Sequence, residues 1–323
     1  MRNTRLSFAT LLAALAALAA SALTGCSGGA ERPADAHGTT SAPSRTTTAA
    51  ATPGTGEPPT PRTSSSPSPS SSTSPADKAP AGRGTSASPA KALWKPRPGL
   101  AWQWQLDGKA SPSADVPVYD IDGFENSAAD VARLHRDGRK VICYINVGAW
   151  EDFRPDQDAF PRSVLGEPNG WSGERWLDIR QISVLRPLME RRFDMCRDKG
   201  FDAVEPDLVE GYGNDTGFPL TARDQLRYNR MIAAIAHERG LSVGLKNDLP
   251  QIPQLLSHFD FAVNEECAQY DECAELTPFI AAGKAVFHVE YTEPRSSFCP
   301  RSRRLNLSSM VKEPELGVWR KPC

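Results

Sequence analysis

"FDAVEPD", residues 201–207, decides the fold that we predict for this chain. Its first half is apolar, as in a buried strand, whereas its end places the carboxylates of Glu205 and Asp207 around a proline. "FAVNEEC" (261–267) and "AVFHVEY" (285–291) also pass from apolar to acidic. Because the carboxyl ends of the strands in a parallel barrel meet at one face, these endings predict one acid-lined mouth.

Similar strands recur along the folded part, and most of them follow a helical stretch. Gly138, Gly200, Gly240 and Gly283 directly precede four of them, at the position where helices commonly end. Eight such units in about 230 residues predict a (β/α)8 TIM-type barrel over residues 92–323. An open doubly wound sheet is the alternative, but no G-x-G-x-x-G follows a strand. The eight candidate strands are 101–106, 117–124, 140–146, 202–207, 241–247, 260–266, 284–290 and 316–320.

One connection departs from this rhythm. Residues 148–180, after the third strand, are rich in Trp, Pro and Gly, and they include Trp150, Trp171 and Trp176. Long connections in compact domains are usually functional or disordered. We therefore expect this segment to pack over the barrel mouth.

The N-terminus has the features of an export signal. Two arginines precede an apolar run, and residues 1–26 end in "LTGC" (23–26), which resembles the bacterial lipobox. A lipidated Cys26 would anchor the protein to the membrane without spanning it, so we expect a cell-membrane lipoprotein facing the exterior. The alternative is an ordinary secretory signal that leaves the protein secreted.

Residues 27–91 form a Ser/Thr/Pro-rich segment that cannot bury enough apolar surface to fold, which predicts a disordered tether. The charge of the folded part differs from that of the leader. Residues 92–323 carry 29 Lys and Arg against 35 Asp and Glu, whereas residues 1–91 carry 8 against 4. A mildly acidic domain disfavours a nucleic-acid partner and suits a cationic substrate.

Six cysteines remain after Cys26, an even number that suggests disulfides in an exported chain. Proximity in sequence favours Cys267–Cys273 and Cys299–Cys323, which leaves Cys143–Cys196. A zinc cluster is the competing interpretation, but no Cys-x-x-Cys or zinc-type histidine spacing is present. We predict neither a metal nor a cofactor.

The predicted strand ends carry acids and amides with one lysine, and His288 is the sole histidine near them. A ring of carboxylates without histidine ligands suits glycoside hydrolysis, which needs two carboxyl groups of different acidity. Single acids at strand ends also cap helices or pair with arginine, and we expect this structural role for Asp202 and Asp260. The candidate substrate-binding residues are Asp120, Asp122, Tyr144, Asn146, Glu205, Tyr212, Lys246, Asn247 and Glu290.

Several motifs, in order, resemble the endo-α-1,4-polygalactosaminidase family, glycoside hydrolase family 114. They are "WQWQLDG" (102–108), "VYDIDGF" (118–124), "VICYINVGAWEDFRPD" (141–156), "WLDIR" (176–180), "GFDAVEPDLVEGY" (200–212), "GLKND" (244–248), "NEECAQYDEC" (264–273) and "HVEY" (288–291).

The resemblance implies a (β/α)8 barrel that cleaves α-1,4-linked galactosamine polymers. It also implies a catalytic aspartate on the fourth strand and a catalytic glutamate on the sixth, which match Asp207 and Glu265. Asp207 would be the nucleophile of a retaining mechanism, and Glu265 the general acid and base. Two alternatives from other classes stay open: a non-catalytic lipoprotein that binds envelope polysaccharide, and a metal-dependent deacetylase.

Overall fold

The computed structural model describes residues 93–323. The predicted signal segment 1–26, the lipidation site Cys26 and the tether 27–91 lie outside the described residues. Twelve strands are present in the described part: β1 Trp102–Gln105, β2 Val118–Asp122, β3 Lys140–Asn146, β4 Ala149–Glu151, β5 Leu165–Pro168, β6 Glu174–Leu177, β7 Ala203–Asp207, β8 Ser242–Lys246, β9 Phe261–Glu265, β10 Val286–Glu290, β11 Ser308–Val311 and β12 Lys321–Pro322.

The main sheet has the order β1-β2-β3-β7-β8-β9-β10-β11-β12. The first eight of these strands are all parallel, and β12 pairs antiparallel with β11. The Trp102 indole of β1 donates to the Ser308 carbonyl of β11 at 2.8 Å, so the two ends of the parallel series meet. Sequential order without reversal excludes a doubly wound sheet, and the fold is the predicted (β/α)8 barrel.

Six helices lie between these strands in the described part of the chain: α1 Ala128–Arg136, α2 Ile182–Lys199, α3 Ala222–Glu238, α4 Ile252–Leu255, α5 Thr277–Ala281 and α6 Arg295–Arg304. Ser127 and Thr221 begin α1 and α3 with capping boxes, in which the cap hydroxyl and an aspartate three residues later satisfy each other's backbone amides. Among the described residues, none of the helices has the length and apolar character needed to cross a membrane.

The core has two layers. Alternate residues of the strands point into the barrel, where Trp102, Trp104, Phe261 and Phe287 form one buried cluster. The other face of each strand packs against the helices in a second, larger cluster. Along β7 this alternation sends Ala203 inward, and Glu205 and Asp207 follow it on the same face at the end of the strand.

The eighth predicted strand was misplaced. Residues 316–320 are irregular, and the eighth parallel strand is β11, Ser308–Val311. The polar composition of α6, with its four arginines and Pro300, hid the last helix, and the two serines of β11 hid its strand. The segment 316–320 instead crosses the edge of β1, where the Leu316 and Val318 carbonyls accept from Leu106 N and Gln103 Nε2.

The long connection after β3 is structured. It contains a three-stranded antiparallel sheet with the order β4-β6-β5. Arg192 of α2 fastens it to the barrel, since its guanidinium is buried and donates to the Asn146 carbonyl at 2.5 Å and to Glu151 Oε2 at 3.2 Å. It also donates a hydrogen bond to each carboxylate oxygen of Asp156, at 2.8 and 2.9 Å.

All three predicted disulfides are confirmed: Cys143–Cys196, Cys267–Cys273 and Cys299–Cys323. The first joins β3 to α2, and the last ties the C-terminus to α6. Asp202 and Asp260, which precede β7 and β9, hydrogen-bond with His135 and His237 and accept from the backbone of the neighbouring strand.

The buried arginine gives a stability prediction. Arg192→Met leaves Glu151 without one of its two cationic partners and the Asn146 carbonyl without its donor, so the free energy of unfolding should fall by about 3–5 kcal/mol. Arg191→Met, at the exposed neighbouring position, should change it by about 0.5 kcal/mol or less. Urea denaturation followed by circular dichroism measures both changes. Equal effects of the two variants would show that the contacts of Arg192 do not stabilise the fold.

Candidate active site

A buried lysine joins three carboxylates at the C-terminal ends of β7, β8 and β9. Lys246 Nζ lies 2.7 Å from Asp207 Oδ1, 3.1 Å from Glu265 Oε2 and 3.6 Å from Glu205 Oε1. Its side chain is 3% exposed, and its ammonium also lies 5.2 Å from the ring centroid of Trp104. One ammonium against three carboxylates leaves this part of the mouth negative.

Asp207 is held in its ionised form. Burial alone would raise the pKa of Asp207, but the charge of Lys246 and its hydrogen bond, with further donors, bring that pKa below its usual value. The Tyr144 hydroxyl donates to Oδ2 at 2.8 Å, and the Leu208 amide donates to Oδ1 at 2.9 Å. The side chain remains 14% exposed. Asp207 is therefore an accessible, ionised carboxylate at neutral pH.

Glu265 contacts the same lysine from β9, the strand that neighbours β8 on the side opposite to β7. Its side chain is 24% exposed, and it accepts from Asn247 Nδ2 at 3.2 Å through Oε2. Oε1 accepts from the Tyr291 hydroxyl. Because Asp207 Oδ1 and Glu265 Oε2 contact the same nitrogen, they lie no farther apart than the sum of those two contacts, about 6 Å.

Beneath this pair, Asp120 and Glu205 form a fully buried carboxyl pair. Trp104 Nε1 donates to Glu205 Oε2 at 3.0 Å, whereas neither oxygen of Asp120 has a donor among the described residues. Burial first, and then the Glu205 carboxylate, raise the pKa of Asp120 well above its usual value. Burial likewise raises the pKa of Glu205 to about 7, against the lowering effect of Lys246. Burial and the neighbouring Glu205 therefore both favour the protonated form of Asp120.

The backbone turns sharply just after β7, β8 and β9. Leu208, Asn247 and Glu266, which directly follow β7, β8 and β9, have φ values of 59°, 48° and 59°. Such left-handed conformations cluster at functional sites, where surrounding structure holds them. One support is the close approach of Gly148, where a Cβ atom would lie 1.7 Å from the Leu208 carbonyl oxygen. A side chain at Gly148 would thus push the backbone next to Asp207 out of place.

Three predicted substrate-binding residues have other contacts. Asp122 receives both terminal nitrogens of Arg154, at 3.1 and 2.7 Å, together with the amides of the turn after β2. Asn146 accepts from two amides of the loop that follows β3. Glu290 lies on the helix-facing side of β10, opposite to Val289, and accepts from the Ala268 amide and His288. In this structure, other protein groups hold the side chains of all three residues.

The other predicted residues come together around Lys246. Tyr144 contacts Asp207 and Asn247 contacts Glu265, while Asp120 and Glu205 lie below them. Tyr212 lies farther along the rim, near Asp248, and burial with this neighbour raises its pKa to about 12.

Sequence reasoning missed five polar or aromatic groups near the mouth. Trp104 is one of them, since its indole nitrogen donates to Glu205. Tyr291 comes one residue after the predicted strand end, so a wider window would have included it. Glu174 comes from the antiparallel sheet, and burial raises its pKa to about 7; its position in a loop gave no signal. Glu210 and Asp248 are the remaining two.

Among the described residues, one group has the spacing of metal ligands: Cys267, Cys273 and His288. The two cysteines form a disulfide, so they supply no thiolates to a metal in this state. The carboxylate cluster around Lys246 already holds a cation, the ammonium.

Comparisons with known proteins identify relatives of this chain and its fold. The sequence model of glycoside-hydrolase family GH114 matches residues 83–323. The crystal structure of Aspergillus fumigatus Ega3 in complex with galactosamine is 39% identical, covers 72% of this chain and 98% of its own, and superposes with a TM-score of 0.67. The glycoside hydrolase domain of PelA from Pseudomonas aeruginosa is 15% identical over 68% of this chain and 97% of its own, with a TM-score of 0.54, and shows a common fold. No curated protein sequence matches this chain.

The buried acid pair predicts a pH dependence of stability. The pKa of Asp120 is raised in the folded state, so the folded protein binds this proton more tightly than the unfolded chain. The stabilisation is fully present below the unfolded pKa, about 4, and declines as pH rises above it. Asp120→Asn should remove this pH-dependent contribution of Asp120 to stability. The stability of the variant relative to the parent should therefore rise between pH 5 and pH 8. Chemical denaturation at several pH values measures it, and parallel pH profiles would contradict the protonated state of Asp120.

Proposed function

We propose that this chain, which belongs to glycoside-hydrolase family GH114, cleaves α-1,4-linked galactosamine-containing polysaccharide with retention of configuration. It is a glycoside hydrolase by its family and fold. The observation that carries the finer proposal is the contact of Asp207 and Glu265 with one ammonium, which brings Asp207 Oδ1 and Glu265 Oε2 within about 6 Å of each other. Retaining glycosidases have about 5–5.5 Å between their carboxyl groups, and inverting ones about 6.5–9.5 Å.

In the first step, Asp207 attacks the anomeric carbon of the sugar while Glu265 gives its proton to the glycosidic oxygen. The bond from the anomeric carbon to that oxygen breaks, and a bond from the carbon to the Asp207 carboxylate forms. The ionised state of Asp207 supports this role, since the lowered pKa keeps its electron pair available. Tyr144 and Lys246 orient the carboxylate through its two oxygens.

In the second step, the Glu265 carboxylate takes a proton from water, and the resulting hydroxide oxygen attacks the anomeric carbon. The bond to Asp207 breaks, so the aspartate returns to its ionised form and the sugar regains the original α configuration. Asn247 and Tyr291 orient the Glu265 carboxyl group in both steps, because each donates a hydrogen bond to one of its oxygens.

The substrate class rests on charge and on the relative with a bound sugar. Ega3 was crystallised with galactosamine, an amino sugar that carries an ammonium group near neutral pH. The folded part of this chain has an excess of acids, and its site sets three carboxylates against one lysine. Such a mouth attracts a cationic polymer and repels an anionic one.

We propose that the N-terminus anchors this enzyme to the outer face of the cell membrane through lipidated Cys26, with residues 27–91 as the tether. The support is the sequence "LTGC" after a short apolar run. On this proposal, the enzyme reaches polysaccharide near the surface of the cell that makes it.

Two conservative variants test the catalytic pair. Asp207→Asn and Glu265→Gln should each lower kcat on partly deacetylated galactosaminogalactan by at least about 100-fold, without loss of thermal stability. Glu275→Gln, at an exposed position on the helix side, serves as the matched control. Reducing-end release and mass spectrometry of the products measure the rates. Full activity of either variant would overturn the two-carboxylate proposal.

Azide distinguishes the two roles. With an activated aryl α-galactosaminide, which needs no proton on departure, Glu265→Ala should form the covalent intermediate, and azide should then give the α-glycosyl azide. Asp207→Ala should instead let azide attack directly and give the β-glycosyl azide. NMR identifies the products. The β-azide from Glu265→Ala and the α-azide from Asp207→Ala would show that the two roles are reversed.

The lysine sets the pH dependence of the reaction. Lys246→Met removes the charge that counteracts burial at Asp207, so the pKa of Asp207 should rise. The acid limb of the kcat/KM profile should therefore move to higher pH by about one unit or more. The exposed Lys321→Met is the control and should keep the original limb. An unshifted limb in Lys246→Met would show that this ammonium does not govern the ionisation of Asp207.

The anchor has a separate test. The full-length chain, expressed in a bacterium that lipidates its own lipoproteins, should be recovered in the membrane fraction, and mass spectrometry should find lipid on an N-terminal Cys26. Cys26→Ser should not carry the lipid. An unmodified wild-type N-terminus would favour ordinary secretion.

A further inference from the structure

A second pair of acids lies beside the catalytic pair, and the two-step reaction does not use it. Glu210 follows Asp207 by three residues, and Asp248 follows Lys246 by two, so both come from the ends of neighbouring strands. The charges of Asp207, Lys246 and Glu265 also influence the pKa of Glu210.

These two acids have unused acceptor atoms. Glu210 Oε2 and Asp248 Oδ1 are shielded from solvent and have no hydrogen-bond donor among residues 93–323. Asp248 is 3% exposed. Within the same residues, no lysine, arginine or histidine forms an ion pair with either acid, in contrast to the three carboxylates on Lys246. Buried polar atoms without partners cost free energy and need an explanation.

Uncharged groups orient Asp248, and Tyr212 hydrogen-bonds with it. Its other oxygen accepts from Asn229 Nδ2 at 3.0 Å, and Asn229 is itself fixed by the Val209 carbonyl at 2.9 Å and by Gln225 at 2.8 Å. Both amide residues are completely buried on α3. Asp248 has a left-handed φ of 49°, a conformation that this network maintains. The carboxylate is thus held by uncharged groups.

The missing partner of such a pair is a cation with several donors. An ammonium group supplies a positive charge and three N–H donors in a small volume. An N-acetyl group supplies one N–H and no charge, and a hydroxyl group supplies one donor. Of the groups present on a galactosamine-containing polymer, the free amine alone satisfies both acids.

We propose that Glu210 and Asp248, with Tyr212 at the rim, form a second ammonium-binding subsite that recognises the amino group of a sugar adjacent to the cleaved bond. The inference rests on the proposed function and adds a specificity to it: the enzyme reads deacetylation on a neighbouring sugar as well as at the reacting one. Cleavage is then directed to runs of free amino sugars.

Proton release should accompany binding. Burial raises the pKa of both Glu210 and Asp248 to about 8, so at pH 7 each is largely protonated before the ligand arrives. The charged and titratable groups near Glu210 are Asp207, Lys246, Glu265, Asp248 and Tyr212. Tyr212 also hydrogen-bonds with Asp248. An arriving ammonium favours the carboxylate forms and so expels protons.

The test uses isothermal titration calorimetry in the Glu265→Gln background, in which the ligand is not cleaved. The ligands are a purified α-1,4-galactosamine oligomer and its fully N-acetylated form. Glu210→Gln and Asp248→Asn are added one at a time. Asp198→Asn, which removes one surface carboxylate on α2 away from the mouth, controls for the change in net charge. Thermal melting verifies that each variant folds.

Each mouth variant should bind the galactosamine oligomer about 10- to 100-fold more weakly than the background, as expected for loss of a charge-assisted hydrogen bond. Asp198→Asn should bind as the background does. Titrations at pH 7 in phosphate and in Tris, which differ in ionisation enthalpy, should show proton release that both mouth variants reduce. If Asp248→Asn does not fold, Glu210→Gln decides alone.

Equal affinities of Glu210→Gln, Asp248→Asn and the control for the galactosamine oligomer would overturn the subsite while leaving the catalytic proposal intact, provided that the wild type cleaves the polymer. If the variants bound the amino and the N-acetylated oligomers more weakly by the same factor, the subsite would also be overturned. Such a result indicates that the substitutions distort the binding site and do not remove an amine-specific contact. A wild type that neither binds nor cleaves galactosamine polymer overturns the proposed function itself, and the subsite with it.

Discussion

The buried ammonium of Lys246 is the interaction on which the site depends. Three carboxylates of like charge could not lie at the end of a barrel without a cation, since their mutual repulsion and burial would protonate them. The lysine contacts Asp207 and Glu265 most closely, and these are the two that solvent reaches. Glu205 lies deeper and shares its environment with neutral Asp120. Lys246 therefore contacts two exposed carboxyl groups, Asp207 and Glu265, and lies next to the buried pair of Glu205 and Asp120.

The barrel makes this arrangement possible through strand alternation. Side chains two residues apart on a strand face the same side, so Glu205 and Asp207 stack in successive layers above the aromatic cluster that fills the barrel. Trp104 connects the layers, because its ring belongs to that cluster and its nitrogen donates to Glu205. The αL residues that follow β7, β8 and β9 then turn the chain, and Asp207 and Glu265 remain partly exposed. Glu210 and Asp248 follow the ends of β7 and β8.

Much of this could be predicted from the sequence, because the barrel signal is repeated. Apolar runs marked seven of the eight strands, terminal glycines preceded four of them and several ended in acids, and the six cysteines paired as predicted. Tertiary contacts of individual site residues could not be predicted from the sequence. Glu290 ends a strand as Asp207 does, yet its strand presents Phe287 and Val289 to the interior and turns Glu290 toward the helices. Asp122 is held by Arg154, which lies in a loop 32 residues away. Neither contact leaves a local pattern in the sequence.

The central claim is that Asp207 forms a covalent bond to the sugar while Glu265 handles the proton across Lys246. The most direct measurement is mass spectrometry of the Glu265→Gln variant, quenched with acid within the first turnover of an activated aryl α-galactosaminide and digested. The account predicts one hexosamine adduct, localised by fragmentation to Asp207 and not to Glu205 in the same peptide. An adduct on Glu205 or on any other residue, or a product released with inverted configuration and no adduct, would contradict it.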